Sequence, residues 1–142
     1  MLKGFTLIEL ILVIAIVLLL AAIIFPIGWN FYQIQIFNQT EDQLVSLLKQ
    51  ARNQAMNQKF QADYGVYIAG TDLVLFQGEN YQQRQQSEDL IIDLSGFVGI
   101  SGLNEIVFKN GSGEPVQAGS IILSSGVKSK EIKINQVGLI NY

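Results

Sequence analysis

The chain has 142 residues, no histidine, no cysteine and a formal net charge of −3. That length suits one modest soluble domain beside an N-terminal helix. Missing histidine and cysteine remove the common zinc ligands and the usual catalytic bases, and an acidic balance is no electrostatic footprint for nucleic acid.

Residues 4–9 read Gly-Phe-Thr-Leu-Ile-Glu, and an unbroken apolar run follows from Leu10 to Ile27. About 20 apolar helical residues cross the hydrocarbon core of a bilayer, so a spanning helix is expected. A cleaved secretory signal would need a shorter apolar stretch and a small-x-small cleavage site; here Ala21 and Ala22 lead into Ile23, Ile24 and Phe25. Lys3 precedes the run and the next positive charge is Lys49. The positive-inside bias therefore places the N-terminus in the cytoplasm and the rest outside. Glu9 is the one formal charge between Lys3 and Glu41. An ionisable group at the mouth of a membrane helix is a functional-site hypothesis by default.

Trp29, Phe31 and Tyr32 follow the span where aromatic belts sit at the outer interface. Apolar residues follow at Ile36, Leu44, Leu47, Leu48, Ala51, Ala55 and Met56, and their 3–4 spacing from Leu44 onward marks an amphipathic helix. Read without interruption from Phe5 to Phe60, that helix would be about 80 Å long. Pro26 is expected to kink or locally melt it, and a break near Asn38-Gln39-Thr40 is the competing reading.

From Tyr64 the pattern becomes short strands: Tyr64–Ala69, Leu73–Gln77, Leu90–Leu94, Asn104–Lys109, Ser120–Leu123, Lys130–Ile134 and Val137–Ile140. Gln77–Asp89 reads as a polar surface loop, and glycines 96, 99, 102, 111 and 113 as turn punctuation. The expected fold is α+β: a long N-terminal helix, transmembrane in its first half and amphipathic in its second, packed on a C-terminal antiparallel sheet. The segments are 1–4, 5–28, 29–61 and 62–142.

The order Lys3-Gly4, then Phe5-Thr6-Leu7-Ile8-Glu9, then a long apolar helix resembles type IV pilins and the pseudopilins of type II secretion. The resemblance implies cleavage between Gly4 and Phe5 by a prepilin peptidase, with N-methylation of Phe5. It implies assembly through Glu9, Thr6 and Pro26 with other pilin or pseudopilin subunits and an assembly platform. The chemistry is coherent: cleavage exposes an amine one helical turn before Glu9, on the same face. Between neighbouring subunits such a pair would fix the axial register of packed helices. The implied function is structural rather than enzymatic, in the inner membrane and then in an extracytoplasmic filament. The C-terminal disulfide loop of many major pilins is missing, which leans toward a minor subunit. Residues 44–140, with Ile106-Val107-Phe108 and Ile132–Gly138, are also similar to the GspH/FimT-like minor pilins.

Two other readings remain. One is a competence-type minor pilin whose sheet domain touches DNA through Lys128, Lys130 and Lys133; Glu131 lies among them and favours an ordinary solvated face. The other is a signal-anchored exported enzyme, for which the residues offer no catalytic set. No cofactor is expected. Asp72, Glu79, Glu88, Asp89 and Asp93 are candidate calcium ligands, but their spacing is not that of an EF-hand.

Overall fold

The computed structural model describes residue 4 and residues 6–57, 59–94, 96 and 98–142; within it the side chains of residues 24–27 and 59 are not described. One helix, α1, runs from Leu7 to Met56. Its 50 residues extend about 75 Å at 1.5 Å per residue. It passes through position 26 and through Asn38–Thr40 without interruption, so neither the local melting at Pro26 nor the break near residue 38 occurs. It stops at Met56 rather than Phe60, because Phe60 and Gln61 take positive φ (56° and 51°) and turn the chain toward the first strand.

Eight strands follow: β1 (Tyr64–Ala69), β2 (Asp72–Gln77), β3 (Leu90–Asp93), β4 (Gly99–Gly102), β5 (Glu105–Phe108), β6 (Gly119–Ser124), β7 (Ser129–Ile134) and β8 (Ile140–Asn141). They form two four-stranded antiparallel sheets, ordered β3-β2-β1-β5 and β4-β6-β7-β8, where one sheet was expected. The strand β4 was unforeseen: Gly99 and Gly102 had read as turns, yet they open and close a short strand paired to β6. The last strand is shifted toward the C-terminus. Asn135 accepts from the N–H groups of Val137 and Leu139 at 3.1 and 2.8 Å, and this makes residues 135–139 a turn.

The core lies where the second half of α1 meets both sheets. Phe37, Leu44, Leu47, Leu48, Ala51 and Ala55 from the helix pack with Val66, Leu73, Phe108, Ile121 and Ile132. Sites at i, i+3, i+4 and i+7 share one helical face, and that face begins at Phe37, earlier than the expected start at Leu44.

On the other side of the first sheet, Gln77–Asp89 is more than a polar loop. Tyr81 stacks on Tyr67 with ring centroids 3.8 Å apart, and the Arg84 guanidinium covers its other face at 3.8 Å. Arg84 Nε in turn donates to Asp89 at 2.7 Å. These three contacts, with single 3-10 turns at Tyr81–Gln83 and Gln86–Glu88, pin the loop to the sheet.

Tyr64 is 4% exposed, and its hydroxyl finds no hydrogen-bond partner in the protein among the described residues. Burial, with a smaller contribution from the Glu88 carboxylate, raises its pKa above the ordinary 10.0. A raised folded-state value adds stability that is complete below the unfolded pKa and is lost as pH climbs through the folded one. Tyr64→Phe should therefore match or slightly exceed the parent's stability at neutral pH, since it removes an unpaired buried hydroxyl. Above the ordinary tyrosine value, the parent should lose stability that the variant keeps. Urea unfolding across pH checks this; parallel curves for the two chains would contradict it.

Candidate functional site

The N-terminal site begins with a helix cap. Thr6 is extended (φ −78°, ψ 154°), and its hydroxyl accepts the backbone N–H of Glu9 at 3.4 Å. Thr6 O accepts from Leu10 N at 3.2 Å, the first turn of the helix. The spacing Thr-x-x-Glu is that of a capping box, a signal legible in the sequence but overlooked there. An acidic side chain in the first turn also opposes the positive end of the helix dipole, a gain of about 0.3–1 kcal/mol. Glu9 is exposed, and nothing among the described residues covers it. Phe5, the expected methylation site, lies outside the described residues, as do Met1 to Lys3. For Pro26 the helical backbone alone is described.

Around Glu9 the helix is bare. Leu7, Ile8, Leu10, Ile11, Leu12, Val13, Ile14 and the other large apolar residues through Ile23 are all at least half exposed. Contiguous exposed apolar surface on this scale marks a membrane or protein contact. Among the described residues, this is the one helix long and apolar enough to cross a membrane. Trp29 and Tyr32 continue the exposed surface one face along, their ring centroids 6.1 Å apart.

A second cluster joins the helix to the second sheet. Glu41 is buried, and Lys130 Nζ donates to its Oε1 at 2.5 Å. Lys128 Nζ stands 3.9 Å from Oε2 and donates to Asn38 Oδ1 at 2.8 Å. Lys128 precedes β7 rather than opening it, yet both amines reach the same carboxylate. Lys133 points elsewhere and pairs with Glu131 at 3.1 Å. That hydrogen bond, with one from Ser120, holds the Glu131 carboxyl below its ordinary pKa. The three lysines weighed as DNA contacts in the alternative reading are therefore all engaged within the chain. Arg52 ties down the far end of the helix, donating to Gly113 O at 3.3 Å and Val137 O at 3.2 Å. Neither Glu41 nor Arg52 was singled out from the sequence. The signal was there for Glu41, which falls on the buried stripe marked by Phe37, Leu44, Val45 and Leu48.

The candidate calcium ligands disperse. Asp89 is committed to Arg84 at 2.7 Å, and no three acidic residues gather closely enough to hold a metal ion among the described residues.

Residues 3–25 match the family model for the prokaryotic N-terminal methylation motif. The chain carries a prepilin signal. This is the N-terminal signature of type IV pilins and pseudopilins, and over this segment the chain is similar to them. The prepilin signal coincides with the capped turn at Thr6–Glu9 and with the exposed apolar part of α1. It stops short of the residues on which the minor-pilin subgroup resemblance rests. No curated protein and no solved structure matches the chain.

Proposed function

We propose that the chain is a structural subunit, a minor pilin or pseudopilin, of a type IV pilus or a type II secretion pseudopilus. It is cut between Gly4 and Phe5, methylated on the new amine of Phe5, and assembled through the apolar half of α1. The observation that carries this reading is the prepilin signal lying on a helix whose apolar surface nothing among the described residues covers. Before assembly the bilayer covers that surface, with the N-terminus in the cytoplasm and the sheet domain outside. In the filament, neighbouring helices replace lipid. Glu9 then meets the amine of Phe5, in its own chain or the next, and the pair sets the register.

Glycine before the scissile bond has no side chain and lets the backbone approach the peptidase closely. In cells with an active prepilin peptidase, a Gly4→Val chain should keep residues 1–4 and accumulate in the membrane instead of in filaments. N-terminal sequencing reads the outcome. Cleavage of the variant as complete as that of the parent would contradict the assigned cut.

A further inference from the structure

The first sheet has one closed edge and one open edge. At β5 the chain folds back on itself: Phe108 bridges to Pro115, and Val116 N donates to Val107 O at 2.8 Å. At β3 no further strand pairs among the described residues. Leu94 N donates to Thr71 O at 2.7 Å, toward β2. Backbone groups alternate sides along a strand, so Leu90 and Ile92 also bond toward β2, and Ile91 and Asp93 direct their N–H and C=O groups outward. Soluble proteins commonly protect such an edge with lysine, proline or a bulge. Leu90-Ile91-Ile92-Asp93 is short and carries one charge, Asp93, but no lysine or proline, and Ile91 is 60% exposed.

Charge singles out the same edge. Asp72 and Asp93 face each other directly across β2 and β3. Like charges in that position destabilise a strand pair, and neither carboxylate makes an ion pair among the described residues. Beneath the edge, between β3 and α1, runs a groove of about 570 Å³ lined by Gln35, Asn38, Gln39, Asp42, Gln43 and Ile92. Its carboxamides both donate and accept hydrogen bonds, and Asp42 adds another negative charge.

We infer that β3 is a docking edge for an extended segment of another polypeptide, added as a fifth antiparallel or parallel strand with Lys or Arg placed against Asp93. Backbone pairing to Ile91 and Asp93 supplies affinity, and the amide groove receives alternate side chains. A second copy of this chain does not complement the edge. Its own open edges, β4 (Gly-Ile-Ser-Gly) and β8 (Ile-Asn), carry no cation to meet the two aspartates. The inference is independent of how α1 is assembled.

The test uses the full chain in detergent micelles with two decapeptides of equal charge, one alternating Lys and Val, the other alternating Lys and Pro. Proline lacks the N–H that strand pairing needs. The Lys/Val peptide should bind and slow hydrogen exchange at the Ile91 and Asp93 amides, while the Lys/Pro peptide should not. Asp93→Asn, which leaves the backbone intact, should weaken Lys/Val binding about tenfold. Three results would overturn the inference: equal binding of the two peptides, binding without protection at β3, or protection of those amides by self-association alone.

Discussion

A chain carrying Glu9→Ala is expected to enter the membrane and fold its sheet domain as the parent does, yet to be missing from sheared filaments. Alanine is more apolar than glutamate, so insertion loses nothing. The cap survives as well, because Thr6 accepts from the backbone N–H of residue 9 and not from its side chain. The core begins at Phe37, far along the helix from position 9, so the sheet domain is untouched. On the proposed reading, what disappears is the partner of the Phe5 amine. Leaving a buried charge unpaired costs about 3–5 kcal/mol, at least about a hundredfold in an assembly equilibrium at about 1.4 kcal/mol per decade. Glu9→Gln should fail nearly as badly, since it keeps size and polarity but not charge. Immunoblots of sheared filaments and of membranes separate the two compartments. Normal filament content for either variant would remove Glu9 from assembly.

The second large effect belongs to the far end of the helix. Gly138 has φ of +79°, a left-handed conformation that costs a side chain about 1–3 kcal/mol. A Cβ at this position would also run into the carbonyl oxygen of Gly113, and would stand 2.8 Å from Arg52 Nε. That oxygen and Val137 O are the two acceptors through which Arg52 clamps both loops to α1. Gly138→Ala therefore combines backbone strain with loss of charged hydrogen bonds. The sum is about 3 kcal/mol, or a drop of about 1–2 M in urea midpoint. Gly126→Ala is the control: an added Cβ there meets nothing within 4 Å, and the change should stay within about 0.5 kcal/mol. Circular dichroism of the two variants during urea titration reads the difference. Coincident midpoints would mean that the Arg52 clamp contributes nothing.

Local signals carried the parts of the fold that were legible in advance. The span to Ile27 is visible as an apolar run, and β1 was bounded correctly because Gly70-Thr71 separates two β-rich stretches. Where long-range pairing decides, the sequence was silent. Gly99-Ile100-Ser101-Gly102 lacks strand composition and becomes β4 because β6 lies beside it. Division into two sheets likewise depends on which strands meet, a property no single segment encodes. Phe60 and Gln61 end the helical path with positive φ, which neither residue type announces.

The site divides in the same way. Gly4, Phe5, Thr6 and Glu9 are neighbours in sequence, so their spacing was readable directly. Glu41 and its two lysines are 87 and 89 residues apart in the chain and meet through the fold alone. The consequence for Lys128 and Lys130 is concrete. Their amines answer a carboxylate on α1, which makes them part of the joint between helix and sheet domain.

The most direct measurement of the central claim is the intact mass of the chain extracted from membranes of cells with an active prepilin peptidase. The account requires loss of Met1–Gly4 together with gain of one methyl group on Phe5. A full-length, unmethylated mass would contradict it and leave α1 as an ordinary membrane anchor.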